Sequence, residues 1–258
     1  MTALEVRGLT VRLHGRTVVD GVDFEAGPGE RLCLLGESGS GKSVTARAIV
    51  GQQLPGMELS GRVLVNGRDV LGVPPARRAG PDRVAMVFQD SASALHPLVR
   101  VGTQVAGALR RQGVAADEAT DRAVELLASV GLDAPGMARR VPCQLSGGQR
   151  QRACIALSLA TGAPVMIADE PTTALDVVAQ ARVLDVLRTK VDAGTALVFI
   201  THDLAVATSL CDRAVVLAGG RVVESGPLPQ LLWEGTHPYT RELSAAAYEQ
   251  VLPHEVTA

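Results

Sequence analysis

Eight consecutive residues, Gly36-Glu37-Ser38-Gly39-Ser40-Gly41-Lys42-Ser43, fit the pattern GxxxxGK[ST], and they stand between an apolar run, Leu32 to Leu35, and a helix-forming stretch, Lys42 to Val50. A buried strand that turns through glycines into a helix constrains the fold more than any other feature of the chain. The glycines let successive backbone N–H groups curl around an anion, and the helix N-terminus adds its positive dipole. Lys42 then reaches the outer phosphates of a nucleoside triphosphate, Ser43 can ligate Mg²⁺, and Val44 extends the contact set into the first helical turn. The bare pattern arises by chance in on the order of one chain in a hundred, and the strand-loop-helix context lowers that further. Lys42 and Lys190 are the only lysines in a chain that otherwise uses arginine, which is consistent with a compact point charge being needed in the loop.

The remaining patterns describe an α/β protein. Leu4 to Val11 and Val18 to Phe24 alternate apolar and polar residues, the period of half-exposed antiparallel strands, and Gly61 to Val65 followed by Asn66-Gly67 adds a hairpin turn to that layer. Val84 to Phe88, Val165 to Ala168, Ala196 to Ile200 and Ala214 to Leu217 are short runs apolar throughout, as expected of parallel strands covered on both faces. Helical stretches run from Lys42 to Val50 and from Gln149 to Ala160. Between about Val101 and Val141 two helical patterns, Val101 to Gln112 and Asp117 to Val130, follow one another without a strand, which reads as an inserted helical subdomain. Short helices are expected at Pro227 to Trp233 and Tyr239 to Tyr248, with a frayed end.

Composition excludes several classes. Twenty-five basic against twenty-seven acidic residues give a net charge of -2, so no global field draws the chain to nucleic acid. Cys33, Cys143, Cys154 and Cys211 form no CxxC pair and read as buried small hydrophobes in a reducing compartment. The first residues lack the n- and h-regions of a signal peptide, and the longest uncharged run, Ala153 to Ala168, is too short for the ~20 residues that span a bilayer, so nothing is expected to cross a membrane.

Two further strand ends carry chemistry. Pro164 to Ala168 leads into Asp169-Glu170, where Asp169 is placed to hold Mg²⁺ with Ser43, and Glu170 to orient and deprotonate an attacking water. An Asp-Glu pair after a strand is by itself usually a solvated loop, so the assignment depends on the phosphate loop upstream. Phe199-Ile-Thr-His202 repeats the geometry, with His202 able to meet the γ-phosphate or Glu170.

Leu145-Ser146-Gly147-Gly148-Gln149, with Arg150-Gln-Arg152 behind it, matches the signature peptide of ABC-type ATPases. Together with Gln89 after the strand Val84 to Phe88, Asp176 after the acidic pair, and His202, the ordered set resembles an ABC transporter nucleotide-binding subunit over nearly the whole chain. The resemblance implies a P-loop NTPase core with a mixed sheet, an antiparallel β layer and the helical insert. Its implied layout is a single ATPase domain over 1–245, with core at 1–88 and 149–225, Q-loop, helical subdomain and signature at about 89–148, and a helical tail at 226–258. It assigns Gln89 to sensing the γ-phosphate and Mg²⁺, and Asp176 to a dimer interface. Ser146, Gly147 and Gly148, just before a helix expected to start near Gln149, offer a second anion site, which in the family caps ATP held by the loop of another subunit.

The implied function is ATP hydrolysis that drives an importer, with a second ATPase subunit of the same or a sister chain, transmembrane permease subunits, and indirectly an extracytoplasmic binding protein. No nucleic acid is expected, and the location is the cytoplasmic face of the cell membrane. Ser93-Ala-Leu-His96-Pro97 and His237-Pro-Tyr-Thr-Arg241-Glu-Leu243 look like the peptide and nickel importer group, although His96 stands where that group usually has asparagine. Members that handle oligopeptides often carry a cysteine-bearing extension beyond the point where this sequence stops, at Ala258, and this leans toward nickel or a metal chelate. The adenine-stacking position falls on His14, whose imidazole offers a smaller π-face than tyrosine; a solvated loop residue is the alternative. A soluble ABC ATPase without a transport role, a small-molecule kinase and a non-hydrolysing scaffold are the rival functions. A kinase would need an acceptor site in place of Leu145 to Gln149, and a scaffold would be expected to lose Glu170 or His202.

Overall fold

The computed structural model describes residues 2–90 and 94–251. Five strands run parallel: β3 (Arg31–Gly36), β6 (Val84–Val87), β7 (Val165–Asp169), β8 (Ala196–Ile200) and β9 (Arg213–Ala218). With β10 (Arg221–Pro227), antiparallel to β9, they form a six-stranded sheet in the order β10-β9-β3-β8-β7-β6. The connections from β6 to β7 and from β7 to β8 carry helices, as parallel neighbours require.

A second sheet, β2-β1-β4-β5, is built from β1 (Leu4–Leu13), β2 (Arg16–Ala26), β4 (Met57–Val65) and β5 (Arg68–Asp69), all antiparallel. Asn66 and Gly67 join β4 to β5 with φ of 49° and 80°, the left-handed pair that a two-residue hairpin favours.

Alternate residues of the parallel strands feed two different apolar layers, and this is why their sequences are apolar throughout. Leu32, Leu34, Ile167, Val198 and Ile200 pack with the second sheet and with α1 (Lys42–Val50). Cys33, Leu35, Ala168 and Phe199 pack with the helices on the other face. Those helices include α2 (Val101–Arg110), α3 (Ala116–Ser129), α4 (Gly147–Leu159) and α5 (Val177–Asp192). Val105, Leu109 and Leu127 of α2 and α3 belong to the same apolar cluster as Phe199, so the helical insert shares its core with the sheet. The C-terminus of α3 is clamped by arginines from two other helices: Arg182 of α5 donates to Ala128 O (2.6 Å) and Ser129 O (3.0 Å), and Arg152 of α4 donates to Gly131 O (2.7 Å). Cations at the negative end of a helix also complement its dipole.

After β8 come α6 (Leu204–Leu210), then β9 and β10, α7 (Leu228–Glu234) and α8 (Pro238–Val251). The expected frayed end beyond residue 251 and the motif position Ser93 lie outside the described residues. One reading of the cysteines is corrected: Cys33, Cys154 and Cys211 are buried, but Cys143 is exposed in the turn before α4. Among the described residues no helix is long and apolar enough to cross a membrane.

Candidate nucleotide site

β3 ends at Gly36, and the chain turns through Gly39 and Gly41 at φ of 85° and 98° before α1 begins at Lys42. The turn demands glycine: at Gly36, φ is 154° and a Cβ would strike Leu217 O and Ser40 Oγ. The carboxyl ends of β3, β6, β7 and β8 meet around one cavity of about 340 Å³. Gly36, Ser38, Gly39, Gly41, Lys42, Ser43 and Val44 line it on one side, and Gln89, Asp169, Glu170 and His202 on the other. Glu37, exposed, and Ser40, buried, are not among the lining residues and hold the lysine. Lys42 Nζ donates to Gly36 O and Glu37 O, each at 2.7 Å, and lies 3.4 Å from the Oγ of buried Ser40. Burial pulls the Lys42 ammonium below its ordinary value, opposed by the carboxylates of Glu170, Asp169 and Glu37.

Asp169 ends β7 almost fully buried, and its Oδ1 has no hydrogen-bond partner. Burial raises its carboxyl above the usual range, the Ser43 hydroxyl opposes that shift, and neighbouring Glu170 adds to it. An orphaned buried carboxylate oxygen beside a hydroxyl is a hard-oxygen donor set, so the residues fit Mg²⁺. Gln89, exposed after β6, faces the same space.

Glu170 follows with φ of 49°, a left-handed conformation that costs a non-glycine residue on the order of 1 kcal/mol or more. That backbone turns its carboxylate back over the sheet. Oε1 accepts the His202 N–H (3.0 Å) and lies 2.7 Å from His202 Nδ1, while Oε2 accepts from Thr173 Oγ1 (2.9 Å). With Glu170 ionised, the imidazole carries its proton on Nδ1 and presents Nε2 outward. The His202 side chain is 72% exposed against 13% for Glu170, so the imidazole screens the carboxylate on its solvent side. Thr173, Val18 and Ile200 are site residues that motif reading missed. Only Thr173 left a signal, three positions after Glu170 in the same turn.

The other expected residues lie elsewhere. His14 occupies the left-handed turn between β1 and β2, with its imidazole over Gly56, and is not among the residues lining the cavity. Asp176 caps α5, its Oδ1 accepting the Ala179 N–H at 2.8 Å. Ser146 to Gln149 are also outside the lining, and here the expectation needs correction. Helix α4 starts at Gly147 instead of near Gln149 because Ser146 and Gln149 form a capping box. Ser146 N–H donates to Gln149 Oε1 (3.1 Å) and Gln149 N–H to Ser146 Oγ (3.2 Å). The donors left at this helix end are the N–H groups of Gly147 and Gly148, which have no carbonyl one turn earlier. Gly148 packs closely: a Cβ there would come within 3.1 Å of Ala174 O, in the segment that follows Glu170. His96 Nδ1 accepts the Leu98 N–H at 3.3 Å, a local turn bond of the kind an asparagine makes.

Residues 19–173 match the family model described as ABC transporter. The chain is 41% identical to the peptidoglycan transport ATP-binding protein YejF of Agrobacterium fabrum, over 97% of this chain but only 48% of that protein, so it spans about half the length of this relative. It is 39% identical to the oligopeptide transport ATP-binding protein OppD of Bacillus subtilis, over 94% of this chain and 71% of that protein. Among solved structures, an ATP-binding subunit of an ABC transporter aligns with a TM-score of 0.78 at 26% identity, over 96% of this chain and 100% of that one. The ATP-binding cassette MJ0796, in a dimeric post-hydrolysis state bound to ADP and Pi, aligns with a TM-score of 0.77 at 27% identity, over 87% of this chain and 98% of that one.

Proposed function

The chain belongs to the ABC transporter family of ATP-binding cassettes, and on that premise we propose that it is the ATP-hydrolysing, energy-coupling subunit of a peptide importer. The observation that carries this reading is the Glu170–His202 pair set across one cavity from Lys42 and the phosphate loop. The loop amides and Lys42 hold the triphosphate. Glu170 takes a proton from water as its oxygen attacks the γ-phosphorus and the bond to the ADP oxygen breaks. His202 orients that carboxylate. Ser43, Asp169 and Gln89 are the residues that would hold Mg²⁺, which when bound offsets charge on the phosphates.

The exposed N–H groups of Gly147 and Gly148 stand outside this cavity, and a second cassette packed head to tail supplies them to the triphosphate of its partner. The dimeric state of the cassette MJ0796 supports the association of two cassettes. ATP then joins the two subunits, and hydrolysis releases them. The cassettes sit on the cytoplasmic face of a transmembrane permease, which an extracytoplasmic binding protein feeds. Peptide is the cargo class we assign: the relatives reported above carry oligopeptide and peptidoglycan transport in their names. Nickel is the alternative.

The test is complementation. A Lys42→Ala chain mixed with a Ser146→Arg chain forms one intact composite site in every mixed dimer, so ATP turnover of the mixture exceeds that of either parent. A mixture no more active than its parents, although both fold and associate, would sink the shared-site mechanism. Uptake of a labelled peptide, but not of nickel, by the reconstituted transporter tests the cargo.

A further inference from the structure

A second cleft lies at the amino ends of the parallel strands, opposite the nucleotide cavity, where Val84 opens β6 and Ala163 precedes β7. Its volume is about 450 Å³, larger than the 340 Å³ of the nucleotide cavity, and it falls in the size range of small-molecule sites. One wall belongs to the segment from Pro75 to Val84 and the other to the end of α2 and the residues after it, so the cleft straddles the seam between sheet and helical insert.

Its charge is one-sided. Arg78, Arg83 and Arg111 line it with Gln112 and Thr161, and no acidic residue is among the lining residues. Arg83 and Arg111 form no hydrogen bond or ion pair with their side chains among the described residues. Arg78 is only 5% exposed, and its guanidinium donates to three backbone carbonyls, Ile49 O (2.8 Å), Val73 O (3.0 Å) and Val70 O (3.1 Å), with no carboxylate bonded to it. The neighbouring Asp82 is bonded to Arg68 instead, at 2.9 Å. A buried guanidinium bonded only to carbonyls is fixed in place and keeps its positive charge, which Asp82 offsets only in part and without a bond, and two guanidiniums without partners on the same lining add to the field. Planar guanidiniums match the paired oxygens of a phosphate, and a bound polyanion removes their mutual repulsion.

We propose that this cleft is a binding site, separate from the nucleotide site, for a small phosphorylated compound, with Arg78 as the fixed floor and Arg83 and Arg111 as closing arms. Because the walls belong to the sheet and to the helical insert, the occupant ties these two parts together. The proposal holds whether or not the chain hydrolyses ATP. The same phosphate monoester chemistry is carried by a soluble sugar phosphate and by an anionic lipid headgroup.

The full chain, its nucleotide site filled with ADP, is titrated by calorimetry with fructose 1,6-bisphosphate and, separately, floated with vesicles containing phosphatidic acid. Arg83→Ala/Arg111→Ala removes no intramolecular bond, so this variant folds; its unaltered melting temperature is the control. Affinity for one probe falls at least tenfold in the double variant and, in the parent, is the same with and without ADP, which separates the cleft from the phosphate loop. A loss confined to the sugar bisphosphate assigns a soluble ligand, and a loss confined to the vesicles assigns a headgroup. If neither probe binds, if the double variant binds both as well as the parent, or if ADP displaces the probe, the site does not exist.

Discussion

Glu170 Oε1 is held twice by one residue, by the His202 backbone N–H at 3.0 Å and by His202 Nδ1 at 2.7 Å. The backbone bond fixes where the carboxylate stands, and the imidazole fixes its orientation. Glu170→Gln keeps the first bond and loses the base, so turnover falls by about 10²–10⁴-fold while ATP binding persists. His202→Ala frees the carboxylate without removing it and lowers turnover by a smaller factor. Phosphate release and equilibrium ATP binding, measured on both variants, check this; parental turnover in Glu170→Gln would remove the residue from the chemistry.

Asp169 holds a buried oxygen with no protein partner, and that vacancy separates two effects of one substitution. Asp169→Asn removes a buried charge, so the metal-free protein melts no lower than the parent. The same change weakens a cation site, and the extra stability conferred by Mg²⁺ with ATP shrinks, with apparent affinity lower by about 10–100-fold, the scale for losing a group that supports a metal. Melting curves with and without Mg²⁺ and ATP distinguish the two.

Gly36 and Gly39 both sit at positive φ, but only Gly36 is also enclosed. Gly39→Ala pays backbone strain alone, about 1 kcal/mol. Gly36→Ala adds the clash with Leu217 O and Ser40 Oγ, bringing the loss to about 3 kcal/mol or more and abolishing nucleotide binding. Denaturant midpoints of the two variants should rank in that order; equal midpoints would mean the loop adjusts freely.

Ser146 caps α4 through the bond to the Gln149 N–H. Ser146→Ala destabilises the fold by about 1 kcal/mol. Ser146→Thr keeps the cap and restores most of that, as urea unfolding can measure.

Glu224 on β10 ties down the chain before α8, accepting the backbone N–H of Thr236 (2.8 Å) and His237 (3.2 Å). The Thr236 N–H, with help from the His237 N–H and the Thr236 hydroxyl, holds its carboxyl down to about 2. Its folded value lies below the ordinary glutamate value of about 4.3, so its stabilisation is present above that pH and is lost as pH falls toward about 2. Glu224→Gln therefore lowers the melting temperature at neutral pH and flattens its decline over that acid window. A variant whose acid decline matched the parent would show that other carboxylates govern it.

Much of this architecture was legible because the chemistry is local. The parallel strands announced themselves as apolar runs, and α1 runs from Lys42 to Val50 as its pattern suggested. The β10 strand was missed because Arg221-Val-Val-Glu-Ser-Gly-Pro has no buried run, although Gly219-Gly220 marks the hairpin before it, at φ of 55° and 80°. The start of α4 was placed too late although Ser146 and Gln149 have the spacing of a capping box. The arrangement at the site was harder. No local pattern reveals that Glu170 adopts φ of 49°, or that Val18 and Ile200 line the cavity, since both depend on how distant strands meet. The placing of His14 over Gly56 likewise depends on β4 meeting β1, which no local pattern reveals.

Helix α4 has attachments along its length to different bodies. Near its start Gly148 lies against the segment after Glu170, while farther along Gln151 Nε2 donates to Phe88 O (3.3 Å) and Ser158 Oγ to Met86 O (3.0 Å) on β6, the strand that leads to Gln89. At 1.5 Å per residue such a helix is a strut about 20 Å long, and tilting it by roughly 5° swings its tip by almost 2 Å. A push of less than an ångström on the end of β6 would thereby be geared up into a displacement large enough to make or break a hydrogen bond at Gly147 and Gly148.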